Sequence, residues 1–444
     1  MSGLAEILSN LGYVISGSDM NPSKIISKLE KKGIKIYLGH SADNITDPDL
    51  VVYTAAVKEN NPELIKARSL NIKTIERATL LGEIMKKYPF SLAISGTHGK
   101  TTTTSMVSMI MLESGLDPTI HIGGELDAIG GNTRIGGNKY FVTEACEYVE
   151  SFLKFNPYLA IVLNIEADHL DYFSDIDHIK SSFLKFISLV PDNGYLVACI
   201  DDHNVRSILD NVSCNVITYG IDSKQAMWTA ENIAFDELGF PSYELVKEGK
   251  YVCTIDLKVP GIHNVSNSLA AVAACFTSGC GIQAIKNGLE KFTGTHRRFE
   301  VKGITDGIKV VDDYAHHPSE IMATLKAARN GNYSKIWCVF QPHTYTRTKL
   351  LLNEFSEAFT DADTIILADI YSAREIDTGE INSGMLAEKI NLNGQNSIYI
   401  PKFNSIVEYL AENASSGDLV LTMGAGDVYK IGEMFLNEKV EVLG

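Results

Sequence analysis

The sequence predicts an α/β protein of three domains: an N-terminal Rossmann-like domain, a central phosphate-loop ATPase-type domain and a C-terminal Rossmann-like domain. Three observations carry this. Short apolar strands alternate with amphipathic helices, the pattern of parallel sheets. Several of those strands run straight into polar clusters, and open parallel sheets bind ligands beyond the carboxyl ends of their strands. The length of 444 residues suits about three domains at roughly 100–200 residues each. Hydrophobic residues make up 45% and charged residues 21% of the chain, which excludes long disorder. A formal net charge of −16 argues against general binding to nucleic acid or anionic membrane, while leaving room for a local basic cleft. No apolar run approaches the ~18 residues a membrane span needs, and no signal segment opens the chain. Seven cysteines with no CxxC point to reduced thiols. A cytoplasmic protein that does not insert into membranes is expected.

The first domain, residues 1–88, opens with Leu4, Ile7, Leu8 and Leu11 at helical spacing, then a strand at 13–16 leading into Gly17-Ser18-Asp19. A strand that ends in an acid after a helix is the second half of a nucleotide-binding βαβ unit. The first strand and its glycine loop have no residues to supply them, with Gly3 left as the last glycine of that loop, so a truncated chain or a missed upstream start is expected. A strand at 50–54 and a helix at 62–70 follow, and the domain closes near Tyr88.

The second domain, 89–296, starts with the strand 90–94 and the run Ser95-Gly96-Thr97-His98-Gly99-Lys100-Thr101-Thr102-Thr103, which opens a helix through Met106, Met109 and Ile110. Glycines let backbone N–H groups turn toward phosphate oxygens, and the helix N-terminus adds its dipole. Lys100 would reach the β- and γ-phosphates and Thr101 would bind Mg²⁺. The spacing G-x-x-G-K-T is shorter than the standard Walker loop. Two more apolar strands lead to Glu144-Ala145-Cys146-Glu147 and to Asn164-Ile165-Glu166-Ala167-Asp168-His169. Glu144 and His169 are the candidate metal ligands beside the nucleotide. The segment 261–267, with His263, Asn264 and Asn267, precedes an Ala-rich helix. Its amides suit either helix capping or the edge of a purine.

The third domain, 297–444, repeats the strand-then-polar-cluster design. Strands lead to Asp312-Asp313-Tyr314-Ala315-His316-His317, to Gln341-Pro342-His343-Thr344-Tyr345-Thr346-Arg347, to the segment 369–375, and to Gly424-Ala425-Gly426-Asp427. Zinc at the paired histidines lacks an acid or cysteine at useful spacing.

Taken together, GTHGKTTTT, NIEADHLDYF, GIHNVSN, DDYAHHPSE, FQPHTYTRT and DIYSAREI resemble the Mur ligases, in order and over essentially the whole chain. The resemblance implies ATP-dependent joining of an amino acid to a UDP-sugar in peptidoglycan precursor synthesis, with a C-terminal domain that closes over the site. It implies that Gly96, Thr97, His98, Gly99, Lys100, Thr101 and Thr102 bind ATP together with His263, Asn264, Asn267 and Arg297. Thr101, Glu144 and His169 would hold Mg²⁺, in part through water. Lys100, Glu144, His169, His343 and Arg347 would serve catalysis, and Ser18, Asp19, His40, Asp313 and His316 the substrates. Later members of the family carry a carbamylated lysine soon after the Asp-His pair, where Phe183 stands here. That departure favours the branch that adds L-alanine to UDP-N-acetylmuramate. A branch that attaches a recycled murein tripeptide shares the same motifs. A ligase relative that binds nucleotide without catalysis, or a dehydrogenase read from Ser18-Asp19 and Gly424-Ala425-Gly426, fits less of the sequence.

Overall fold

The computed structural model describes residues 1–54 and 56–441, the side chains of 438–441 excepted. It divides into two compact units, one of 1–100, 114–166 and 176–217, the other of 101–113, 167–175 and 218–444.

In the first unit the helix Ser2–Asn10 buries Leu4 and Ile7 and ends at a turn in which Gly12 takes φ 89°. Gly3 sits in its first turn, where a Cβ would come within 2.8 Å of His121 Nδ1. The next strand, β1 (Ser16–Asp19), pairs in parallel with β2 (Lys35–Leu38). The expected strand at 13–16 is therefore displaced: Tyr13 and Val14 are exposed, and Ser18 and Asp19 lie within the strand. Pairing to β2 selected the polar segment over the apolar one, a tertiary override of propensity. β3 (Leu50–Tyr53) pairs in parallel with β4 (Lys73–Glu76) as a separate two-stranded sheet.

The same unit holds β5 (Phe90–Ser95), β6 (Thr119–Leu126), β7 (Gly131–Arg134), β8 (Tyr140–Glu144), β9 (Leu159–Val162), β10 (Tyr195–Cys199) and the start of β11 (Asn215–Gly220). β5 is central, between β8 and β9, and both pairings are parallel. Leu92, Ala93 and Ile94 of β5 are fully buried, as expected of an apolar strand covered on both faces. Parallel register brings the carboxyl ends of β5, β8 and β9 to one edge.

In the second unit the end of β11 pairs with β12 (Trp228–Phe235), which continues through β13 (Pro241–Lys247) and β14 (Lys250–Asp256) as an antiparallel meander. The meander escaped the sequence analysis because its half-buried strands carry charges on one face. The helix Ile262–Thr277 follows. Six strands then form a sheet ordered β15-β16-β20-β17-β18-β19: β15 (Glu300–Thr305), β16 (Ile308–Asp313), β17 (Ile336–Phe340), β18 (Thr364–Leu367), β19 (Ser397–Tyr399) and β20 (Leu419–Met423). All pairings are parallel except β15–β16. Alternate residues feed two cores, Val311, Cys338, Phe340 and Leu421 on one face, Val310, Trp337, Val339 and Val420 on the other. That period of two is the pleat of a sheet covered on both sides.

Among the described residues no helix is long and apolar enough to cross a membrane.

Candidate active site

The loop after β5 is shaped by two glycines, Gly96 at φ 147° and Gly99 at φ 83°. A Cβ on Gly96 would sit 2.9 Å from Leu163 Cβ, so both backbone freedom and lack of a side chain are needed there. The segment beyond β9 straps the loop down. Asn164 Oδ1 accepts from the His98 N–H at 2.7 Å, the Asn164 carbonyl accepts from Thr97 N–H at 3.1 Å, and Thr97 Oγ1 accepts from Glu166 N–H at 2.9 Å. The roles of Asn164 and Glu166 are legible only once β5 and β9 are neighbours.

Lys100 opens the helix Lys100–Glu113. Its ammonium donates to the Gly96 carbonyl, to the Thr97 carbonyl at 3.0 Å and to Glu147 Oε2 at 2.9 Å. Burial opposes the charge, yet Glu147, Cys146 and Glu144 outweigh it and raise the Lys100 pKa above its ordinary value. Burial pushes the neighbouring Cys146 thiol up. Glu144 ends β8 and accepts from the Gly123 N–H at 2.7 Å. The structure thus brings Gly96, Thr97, His98, Gly99, Lys100 and Glu144 to one edge, and adds Glu147, which sequence analysis left without a role. Thr101 and Thr102 continue the same helix.

In the second unit, His169 takes φ 55°, a left-handed conformation uncommon outside glycine but one that histidine adopts more readily than most side chains. Its N–H donates to Asp168 Oδ1 at 2.7 Å, and Arg347 Nη2 reaches the same oxygen at 3.1 Å. Burial alone would raise the Asp168 pKa, but electrostatic interaction with His169, Arg347 and His317, together with the His169 N–H, holds it well below the usual carboxylate range. Arg347 Nη1 lies 3.3 Å from His343 Nδ1, and the His343 ring lies 5.9 Å from His316 and stacks on Tyr371 at 5.7 Å. Burial depresses both His316 and His343 to about 4, so both rings are neutral near pH 7. His169, His343, Arg347 and His316 therefore share one cluster, organised by Asp168. The tight turn at Thr344, φ 66°, places Tyr345–Leu350 as the helix that aims Arg347.

His263, Asn264 and Asn267 do not precede their helix; they occupy its first turns. The N-cap is Gly261, with no side-chain cap. Asn264 Nδ2 donates to the Pro260 carbonyl at 2.7 Å and its Oδ1 accepts from Asn267 at 3.1 Å. That geometry removes the N-capping alternative for both amides. The buried Nδ1 of His263 has no partner among the described residues, and burial depresses its ring to about 4.

Arg297 and Asp313 are turned inward. Arg297 Nε donates to Asp312 at 2.9 Å, and its two terminal nitrogens donate to the Gly426 and Gly424 carbonyls at 3.0 and 2.7 Å. Its guanidinium also lies over the rings of Tyr314 and Tyr429, 4.9 and 4.8 Å from their centroids. Asp313 accepts from the Ala315 and Phe299 N–H groups, each at 2.7 Å.

Burial pushes Asp313 up to about 6 from 3.8, against the pull of Arg298 and those two N–H groups. A raised carboxyl favours the folded state below about pH 4 and loses that contribution as pH rises through about 6. We expect Asp313→Asn to flatten this fall, worth on the order of 2 kcal/mol, while lowering stability overall because an amide oxygen replaces only one of the two acceptors. Urea midpoints measured from pH 4 to 7 check this. An equal fall in both proteins would remove the assignment.

In the first domain Ser18 and His40 meet, with Ser18 Oγ 3.0 Å from His40 Nδ1. Asp19, at the exposed end of β1, accepts instead from the Asn21 N–H at 3.1 Å.

Comparison with known proteins is consistent with this geometry. Three family models match: "Mur ligase family, catalytic domain" over 1–89, "Mur ligase middle domain" over 94–275, and "Mur ligase, glutamate ligase domain" over 297–426. A UDP-N-acetylmuramate–L-alanine ligase of Acetivibrio thermocellus is 73% identical over 439 residues, 99% of this chain and 94% of that protein. One from Caldanaerobacter subterraneus is 53% identical over 438 residues, 99% of this chain and 95% of that protein. The solved structure of the UDP-N-acetylmuramate-alanine ligase from Thermotoga maritima superposes with a TM-score of 0.84 at 30% identity, covering 100% of this chain and 97% of that one. A murein peptide ligase from Psychrobacter arcticus gives 0.73 at 25% identity, covering 99% and 96%. With three family models in order along its length, a relative sharing nearly three quarters of its residues, and the same three-domain α/β fold, the chain belongs to the Mur ligase family.

Proposed function

We propose that this protein is the ATP-dependent ligase that joins L-alanine to the lactyl carboxylate of UDP-N-acetylmuramate in peptidoglycan precursor synthesis. The observation that carries it is the 73% identity with the Acetivibrio enzyme over 99% of the chain. The tripeptide-adding alternative is supported by a weaker likeness, 25% identity to a murein peptide ligase. The matched spans support domain boundaries at 1–88, 89–296 and 297–444.

The chemistry follows from residues of this chain. The sugar carboxylate attacks the γ-phosphate of ATP, forming an acyl phosphate and ADP. Lys100, at the mouth of the 96–99 loop, meets the charge that builds on the transferring group, and the loop and helix N-terminus bind the other phosphates. The hydroxyl of Thr101 and the carboxylate of Glu144 are the hard oxygen donors that Mg²⁺ prefers, and the His169 imidazole suits a contact through water. When bound, Mg²⁺ supplies further neutralisation of phosphate charge. The amine of L-alanine then attacks the acyl carbon and phosphate leaves. The planar fork of Arg347 suits the amino-acid carboxylate, with neutral His316 and His343 beside it. His263, Asn264 and Asn267 line the adenine side. Arg297 contributes to nucleotide binding by holding the 424–426 loop.

Phosphate release from ATP in the presence of UDP-N-acetylmuramate tests this. Release is expected to require L-alanine. Release that requires the murein tripeptide instead would overturn the assignment.

A further inference from the structure

The UDP-sugar reading of the first domain assigns nothing to Glu63, yet its carboxylate is the hub of the Ser18–His40 cluster. Ser18 Oγ donates to Glu63 Oε2 at 2.7 Å. Asn44 Nδ2 donates to Glu63 Oε1 at 2.6 Å and to the Gly39 carbonyl at 3.1 Å, tying the carboxylate to the turn that carries His40. His40 Nδ1 stands 3.0 Å from Ser18 Oγ and 3.6 Å from Glu63 Oε2. Glu63 is itself fixed in the first turn of the helix Pro62–Ser69, its N–H donating to Asn61 Oδ1 at 2.9 Å. Only 14% of its side chain is exposed, so these partners define where it points.

Counting hydrogens decides the chemistry. An ionised carboxylate only accepts, and a serine hydroxyl has one hydrogen to give. Ser18 gives that hydrogen to Glu63, so toward His40 it acts as an acceptor and Nδ1 carries a proton. In the neutral imidazole, Nε2 is then a bare acceptor. It pairs with no protein group among the described residues.

We propose that Glu63 is a positioning residue for the nucleotide: through Ser18 it fixes the Nδ1–H tautomer of His40, so that Nε2 accepts from a hydrogen-bond donor of the uridine moiety. This rests on the UDP-sugar reading and deepens it. The donor is the N3–H of the base or a ribose hydroxyl. Cytosine presents a lone pair at N3, so a base contact would discriminate against cytidine nucleotides, since an unpaired polar site is costly.

Glu63→Gln keeps the size of the side chain but introduces an N–H that can donate to Ser18. Ser18 is then free to donate to Nδ1, and the ring can take its proton on Nε2. Nitrogen-15 NMR of the histidines in ligand-free protein is expected to show the Nδ1–H form in the parent and the Nε2–H form in the variant. The variant should raise the KM for UDP-N-acetylmuramate about tenfold, one hydrogen bond's worth, with kcat and the KM values for ATP and L-alanine little changed. Calorimetry with UDP, CDP and 2′-deoxy-UDP separates the donors. A base contact predicts that the preference for UDP over CDP collapses in the variant; a ribose contact predicts that the penalty for 2′-deoxy-UDP does. An Nε2–H ring in the parent, or an unchanged KM in the variant, would overturn the proposal. A parent protein that shows the Nδ1–H signal but binds no UDP nucleotide would overturn the UDP-sugar reading and with it the proposed ligand, a failure told apart from a broken relay by that signal.

Discussion

Lys100→Ala is expected to lower turnover by at least about 1,000-fold, because a buried cation facing the transferring phosphoryl group is typically worth that much. The structure adds a second consequence. Glu147 is only 2% exposed and its carboxylate accepts from the Lys100 ammonium at 2.9 and 3.2 Å. Removing the lysine takes this cation away from a buried carboxylate, a change that costs about 3–5 kcal/mol. Loss of activity in the single variant would therefore mix chemistry with instability. The double variant Lys100→Ala, Glu147→Gln removes the stranded charge and should recover most of the urea midpoint while activity stays lost. Recovery of activity along with stability would show that Lys100 acts only through the ion pair. Near-normal turnover in the single variant would remove it from the mechanism.

Arg347→Ala is expected to reduce kcat/KM for L-alanine by about 100-fold, the cost of truncating one partner of a buried hydrogen-bonded charge pair. Arg347→Lys should recover little, since an ammonium cannot reproduce the fork that spans Asp168 and His343. The stability effect has a pH signature. Asp168 is held below its ordinary range, so its contribution is fully present above the unfolded carboxylate value near 4 and is lost only as pH falls toward the lowered folded value. The gap in urea midpoint between parent and Arg347→Ala should be constant from pH 5 to 8 and shrink below about pH 4. A gap that widens in acid would show that Asp168 is not the partner that matters.

Much of this was legible from residue order alone. The strand–loop–helix at 90–113 announces itself through an apolar run, two glycines and a lysine, all local features set by φ/ψ and hydrogen bonding within a few residues. The strands 336–340, 364–367 and 419–423 are apolar runs broken only by Thr364 and Thr422, and burial on both faces leaves few other interpretations. Three kinds of information needed the folded chain. Pairing chose Ser16–Asp19 over the more apolar 13–16 as a strand, because a neighbour in register outweighs propensity. Partners far apart in sequence gave Glu147, Asp168 and Glu63 their roles, since an acid's neighbours, not its identity, decide whether it is a surface charge or the hub of a network. Direction decided the rest: Arg297 and Asp313 lie in the expected motifs, but their side chains turn inward to backbone groups. The sequence by itself determined the family, the three-domain α/β plan and the phosphate loop, since these reside in contiguous patterns; only the tertiary structure decided which polar side chains are spent on the protein and which are left for a ligand, because that depends on distances no linear spacing encodes.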